Sequence, residues 1–225
     1  SVHSFPTRRS SDLVNVDVDA DVVEAITAGE SPVHEGGLHE LVETHAGPDG
    51  TGRLSATTDY AAILDTEVTV VCLPTPRRED GAIDLSVVEG GARALGTVLA
   101  EQSEWHTVVV KSTVIPGTTA ETVRPAIAEA SGETGEPNFG VGMNPEFLRE
   151  GSAVADFRDP DRLVLGSDSE RVREDLHRLF APLLAETDVP VVETDTRTAE
   201  MIKYANNGFL AAKVSLINDI GNVCK

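Results

Sequence analysis

Two cysteines in 225 residues, Cys72 inside an apolar run and Cys224 near the end, supply neither the number nor the spacing of a disulfide framework or a thiolate metal site. A reducing cytoplasm is the compartment this predicts. Aromatic residues make up only 4% of the chain, so a core must be assembled from Val, Leu, Ile and Ala, a composition suited to a parallel sheet covered by helices. No apolar run reaches the ~18 residues that span a bilayer, and the first residues lack the apolar stretch of a secretory signal; no membrane partner is expected. Basic charge is the scarcest resource: 18 Lys and Arg face 38 Asp and Glu, giving a net charge of -20, and the lysines number four (Lys111, Lys203, Lys213, Lys225). Such a surface repels phosphates, which excludes a nucleic-acid partner. The acidic residues run along the whole chain rather than forming a tail, as on a folded surface. That surface suits a high-salt, halophilic cytoplasm, where ions screen its self-repulsion. The melting temperature should therefore climb between dilute buffer and molar KCl, and a flat curve removes the halophilic reading.

The segment His3–Leu13, HSFPTRRSSDL, resembles the translation of a widely used DNA-sequencing adapter. Residues 1–13 are accordingly set aside as artefactual and fold reasoning starts at Val14. From there strand and helix alternate. Val14–Val18 reads as a short strand, and Asp19 or Asp21 can cap a helix that runs to about Ala28 and is closed by Gly29. Leu54–Thr57, Val68–Leu73, Thr107–Val110, Phe139–Gly142, Arg162–Leu165 and Val189–Val192 read as strands. Helices are predicted from Asp59 to Leu64, from Thr118 or Thr119 to about Ala130, and over Glu170–Leu184. Gly47–Gly52 and Gly132–Pro137 read as surface loops. Near-continuous apolar strands between helices imply a doubly wound parallel α/β sheet. The stretch from about Arg197 to Cys224 lacks Pro and keeps helical spacing through Met201, Ala205, Phe209, Leu210, Val214 and Ile217. At 1.5 Å per residue it extends about 40 Å, a length that suits a bridge between domains or subunits.

Several residues stand where such a fold does chemistry. Asp17 ends the first strand, where a carboxylate can accept from the adenine ribose hydroxyls and would repel the 2′-phosphate of NADP; alone, an ordinary surface Asp is the commoner reading. Glu146 falls in a loop at the carboxyl end of a strand, the edge at which open sheets bind ligands. Its blander alternative is a surface i, i+4 pair with Glu150. Thr113 follows a buried strand, and Thr75 stands between Pro74 and Pro76, which hold its loop extended. Lys203 and Asn207, four residues apart, share one helix face; a snorkelling Lys is the competing explanation.

The segments ESPVHE (30–35), CLPTP (72–76), KSTVIPGT (111–118), NPEFLREG (144–151) and PDR (160–162) occur in this order. Together they resemble the UDP-glucose/GDP-mannose dehydrogenase family from about Val14 to Lys225. The resemblance implies a Rossmann-like NAD-binding domain over 14–194, lacking its first strand and Gly-rich loop, and the start of a central helical dimerisation domain over 195–225. It implies NAD as cofactor, a UDP-sugar substrate, and a homodimer formed through the long helix. Family members oxidise the sugar C6 alcohol twice with two NAD⁺ and capture the aldehyde as a thioester on a downstream cysteine, which neither Cys72 nor Cys224 matches. By resemblance, Glu146 is the base in thioester hydrolysis, aided by Thr113. Phe147, Leu148 and Arg149 lie along the sugar nucleotide, while Glu150 lies near the nicotinamide. Thr75 and Thr113 contact the cofactor; Lys203 and Asn207 stabilise the oxyanion and hold the sugar. Val22 departs from the pattern, since relatives often carry a basic residue there. The text of 144–151 with 160–162 looks closest to the UDP-glucose members. GDP-mannose and UDP-N-acetylmannosamine members share parts of it, and a non-catalytic dimerisation or binding fragment is the alternative of another class.

Overall fold

The structure, a computed structural model, describes the backbone of residues 2–6 together with residues 12–132 and 138–224. The chain forms strand β1 (Val2–Pro6) and strand β2 (Leu13–Val16), then helices α1 (Ala20–Ala28) and α2 (Leu38–His45). Strand β3 (Leu54–Thr57), a 3₁₀ turn over Tyr60–Asp65, β4 (Thr66–Val71) and α3 (Ser86–Leu99) follow. Next come β5 (His106–Val110), a π turn over Thr119–Val123, α4 (Arg124–Ser131), β6 (Phe139–Met143) and the short α5 (Ala153–Arg158). Strand β7 (Leu163–Gly166), α6 (Glu170–Glu186), β8 (Val191–Thr194) and α7 (Thr196–Val223) complete the order.

Local chemistry explains most of these boundaries. Asp19 caps α1 by accepting from the Asp21 N–H at 3.0 Å, and Gly29 closes it at φ 82°. Asp59 caps the 3₁₀ turn in the same way through Ala61 N–H at 2.8 Å. The helix expected from Thr118 or Thr119 opens instead as a π turn, and Pro125, lacking an N–H, stands where α4 takes over. Thr118 does not cap it: its hydroxyl donates to Ile115 O at 2.6 Å. Gly47–Gly52 forms the link between α2 and β3, whereas residues 133–137 of the second expected loop lie outside the described residues.

The strands form one sheet in the order β3-β2-β1-β4-β5-β6-β7-β8. Strands β2 and β3 pair in parallel, as do β4 with β5, β5 with β6, and β7 with β8. The sheet is not wholly parallel, which corrects the sequence expectation in two places. Strand β7 meets β6 antiparallel through the single Met143–Gly166 pair. The segment set aside as artefactual supplies β1, which fills the slot between β2 and β4 antiparallel to both. Five backbone positions of suitable length are enough to satisfy the ladder groups that β2 and β4 would otherwise leave unpaired.

One face of the sheet buries Val71, Val108, Val110, Val141 and Met143 beneath α3 and α4, with Ala199 from the start of α7. The other face carries Val68, Val70, Val109 and Leu165 under Val172, Leu176 and Phe180 of α6. Gly140 makes the second contact possible, because a Cβ there would stand 2.3 Å from Val172 and 2.7 Å from Trp105. A smaller cluster of Ile26, Val42 and Ala46 holds α1 and α2 together.

Candidate active site

Because β2, β4, β5 and β6 point the same way, their exits lie along one edge of the sheet. Four strand places separate β2 from β6, about 19 Å at the usual strand spacing. Asp17 stands at the β2 exit, half-buried, with a carboxylate oxygen accepting from Asp19 N–H at 3.1 Å. Burial, with the Asp17 charge adding to it, pushes the Tyr60 phenol up. At the exits of β4 and β5 the two predicted threonines meet: the Thr75 hydroxyl donates to Thr113 O at 2.9 Å. Ser112 locks the same pair of loops, accepting from Leu73 N–H at 2.8 Å and donating to Leu73 O at 2.7 Å.

The β6 exit carries the densest chemistry. Glu146 is partly exposed and meets the buried Lys203 ammonium at 2.7 Å, while its other oxygen accepts from Leu148 N–H at 2.7 Å. Lys203 reaches there because α7 docks its first turns on the sheet, burying Thr196, Ala199, Glu200 and Lys203. Its ammonium stands 5.4 Å from the centroid of the Phe147 ring, and the Arg162 guanidinium covers that ring at 4.4 Å. Arg162 also donates to Asn206 at 3.0 Å. Lys203 stands behind a cavity of about 360 Å³ that is lined by Glu146, Phe147, Leu148, Arg149, Arg162 and Asn206 among others. Arg149 is held by a two-point contact to Asp156, whose carboxyl stays far below the usual range through those hydrogen bonds.

Glu146, Phe147, Leu148, Arg149 and Lys203 are thus brought together. Thr75 and Thr113 form a second group, and Asp17 stands apart on β2. Glu150 and Asn207 are exposed; at the helix turn where Asn207 was expected, Asn206 lines the cavity. Sequence reasoning passed over the Arg162–Asn206 pair, and also Lys111, whose ammonium donates to Asn144 Oδ1 at 2.7 Å. Burial pushes Lys111 down, opposed by Cys72 and Glu146. Both basic residues sat inside quoted motifs, but nothing local revealed their partners. Cys72 lies nearer this cluster than its strand position suggested, since Lys111 and Glu146 both act on its thiol. Burial is the larger influence and pushes that thiol up, away from the nucleophilic thiolate.

An open α/β domain with a polar row along its carboxyl edge defines a nucleotide-binding protein. Residues 4–184 match the UDP-glucose/GDP-mannose dehydrogenase family, NAD binding domain, and residues 197–225 match the family's central domain. The chain belongs to this family. It is 52% identical over 215 residues to a UDP-glucose 6-dehydrogenase of Haloferax volcanii, covering 95% of this chain and 49% of the relative. It is 40% identical over 218 residues to the GDP-mannose 6-dehydrogenase of Pseudomonas aeruginosa, covering 96% and 48%. The chain spans about half the length of the curated relatives it matches. Among solved structures, a ternary complex of the Pseudomonas GDP-mannose dehydrogenase superposes with a TM-score of 0.86 at 41% identity, over 93% of this chain and 47% of that one. A UDP-glucose dehydrogenase from Pyrobaculum islandicum gives 0.84 at 41% identity, over 92% and 46%.

The cofactor of this family is NAD, and the described residues fit it unevenly. Asp17 suits the adenine ribose, and the Thr75–Thr113 loops frame the edge beyond it. The pyrophosphate is different, because a phosphate loop belongs at the exit of the strand between β2 and β4, facing Asp17. Here Val2, the start of β1, pairs with Val16 and Val71 at the ligand edge, and Pro6 pairs with Thr66 at the opposite edge. The exit of β1 therefore faces away from Asp17.

Proposed function

We propose that this chain is the cofactor half of an enzyme that oxidises UDP-glucose to UDP-glucuronate, with the sugar C6 meeting the Glu146–Lys203 pair. That 2.7 Å pair, set against Phe147 in a cavity at the carboxyl edge, carries the proposal. NAD, when bound, supplies a hydride acceptor at each of two oxidations. Lys203 is buried and ion-paired, so it offers charge to the C6 oxygen that becomes negative as the hydroxyl proton leaves. Glu146 is fixed on Lys203 and Leu148 N–H yet partly open to the cavity, a placement from which it can take a proton from water attacking a thioester. Phe147, capped by Arg162, gives the sugar ring a flat apolar wall. The similarity to the Haloferax enzyme favours UDP-glucose; the GDP-mannose relatives make GDP-mannose the second substrate to test. Extending the chain to the length of its relatives and assaying NADH formation with UDP-glucose, GDP-mannose and UDP-N-acetylmannosamine decides among them.

Beyond Lys203, α7 carries Phe209, Leu210, Val214, Ile217 and Val223 exposed, a face we assign to docking a second copy. Two further outcomes follow. In the extended enzyme, Asp17→Ala should weaken the preference for NAD over NADP, because losing charge-assisted hydrogen bonds costs roughly 1.5–3 kcal/mol. An unchanged ratio of NAD to NADP efficiency removes Asp17 from ribose recognition. The 225-residue polypeptide on its own should form no NADH from UDP-glucose: β1 turns its exit away from the pyrophosphate, and the half-buried Cys72 thiol is held up. Substrate-dependent absorbance above a Glu146→Gln control would show otherwise.

A further inference from the structure

The loop that leaves β6 carries Glu146 at its start, but its far end is held elsewhere. Gly151 N–H donates to one oxygen of the Glu35 carboxylate at 2.9 Å, and Ala153 N–H donates to the other at 3.1 Å. Glu35 lies in the connection between α1 and α2, and Leu38, which opens α2, packs on the Ile26, Val42 and Ala46 cluster against which Leu54 and Ala56 of β3 also pack. The contact is continued by apolar surface, since a Cβ at Gly37 would stand 3.7 Å from Val154 Cγ1. The β2–β3 side of the sheet is thus joined to a loop that starts four strands away. The ten residues from Asn144 to Ala153 can reach about 33 Å when extended, enough to cross the whole ligand edge. Among the described residues neither amide donates to another backbone group, and Glu35 is the partner that satisfies both.

We propose that Glu35 is a positioning residue that latches the Glu146–Gly151 loop across the ligand edge, so that the half of the domain bearing Asp17 holds the residues that meet the sugar nucleotide. The functional part rests on the substrate reading above; the latch itself does not. Glu35 touches no reacting atom. It acts through the loop backbone, and the loop's other end is fixed by Glu146 on Lys203 and Leu148. Between these ends Arg149 is tied to Asp156 of α5, so the loop and α5 should be released together.

Amide exchange in the 225-residue chain tests the latch. In Glu35→Ala, Gly151 and Ala153 should exchange about tenfold faster, as expected when a charge-assisted hydrogen bond is lost, and trypsin should nick faster after Arg149. The Gly117 and Thr119 amides, which donate to the buried Glu200 carboxylate at 2.5 and 2.7 Å, should be unaffected. Glu35→Gln, which keeps reach and one acceptor, should restore part of the protection; Glu35→Asp, one methylene short, should not. Unchanged exchange in Glu35→Ala overturns the latch. Global melting of all three variants also overturns it, because an anchor between partly exposed segments leaves the sheet intact. In the extended enzyme, Glu35→Ala should lower kcat/KM for the sugar nucleotide about tenfold, a loss in keeping with misplaced substrate contacts, while KM for NAD stays within twofold. Released amides with normal kcat/KM overturn the positioning role. A wild-type enzyme that oxidises no sugar nucleotide sinks the substrate reading and leaves the exchange result standing.

Discussion

Glu146→Gln in the extended enzyme should slow turnover about 10²–10⁴-fold, the usual loss when a general base is removed, with sugar-nucleotide binding changed only a few-fold. The substitution is chosen for what it keeps. Glutamine keeps the length of the side chain and one acceptor oxygen for the Lys203 ammonium, giving up the second oxygen that accepts from Leu148 N–H. What it loses is the capacity to take a proton from water. Glu146→Ala would confound the result further, because Lys203, 6% exposed, would lose both its counter-charge and any side-chain acceptor from this position, whereas Glu146→Gln removes the charge alone. If Glu146 acts in thioester hydrolysis, mass spectrometry after mixing Glu146→Gln with substrate and NAD should show the sugar nucleotide attached to a cysteine. Near-normal turnover without an adduct removes Glu146 from the hydrolytic step.

How far the sequence foretold this molecule depended on how local each signal was. Val68–Val71 and Thr107–Val110 were legible because central strands buried on both faces must be β-branched throughout. The α1 caps were legible because Asp19 and Gly29 act within two residues or on their own backbone. The helix Ser86–Leu99 was not legible, and packing gives the reason. Its sequence contains Gly90, Gly91 and Gly96, which lower helix propensity, yet a Cβ at Gly91 would lie 2.4 Å from Leu73 and one at Gly96 would lie 2.4 Å from Ile127 O. Tertiary contact favours glycine at positions 91 and 96, at the expense of the local helix signal. Leu38–His45 was passed over for a different reason, since Gly37 precedes it without any side-chain cap.

The candidate site divides in the same way. The motif around Glu146 could be read along the chain, but the partners that hold it come from far away in sequence. Glu200 is fully buried and accepts from Gly117 and Thr119, anchoring the loop after β5 on α7 from more than 80 residues away. No local pattern marks that role, because the carboxylate replaces the Thr118 cap that the sequence suggested. The central strand is the sharpest case. Val2–Pro6 was excluded for its unnatural text, yet it fills the open ladders of β2 and β4 as an extended segment antiparallel to both. Direction matters to the ligand edge, since an antiparallel strand in that slot takes its exit to the opposite edge.

Between pH 7 and pH 4 the folded chain should lose roughly 3 kcal/mol of stability through His106 alone, a pKa displacement of about 2.5 units at 1.36 kcal/mol each. His106 is fully buried on β5. Its Nδ1–H donates to Thr66 O at 3.0 Å and its Nε2 accepts from the Thr69 hydroxyl at 2.8 Å, so the neutral ring is completely satisfied. Burial pushes its pKa from 6.5 down to about 4, against weaker opposition from the Thr66 carbonyl and Asp175. As pH falls through 6.5, the unfolded chain binds a proton that the folded chain refuses until about pH 4. Stability is therefore intact above the upper value, declines through the interval, and loses nothing further from this group below the lower one. The carboxyls of Asp84 and Asp195 are lowered by hydrogen bonds to Ser86 and Thr198, so their losses fall below 3.8 and outside the window. Lys111, lowered by burial, acts at the alkaline end. Neutralising the net charge of -20 changes stability over the same acid range, so the quantity to measure is a difference. Urea unfolding of the wild type and of His106→Gln, whose amide can donate to Thr66 and accept from Thr69, should diverge steadily from pH 4 to pH 6.5. Parallel curves across that interval would mean that His106 is protonated as readily inside the fold as outside it.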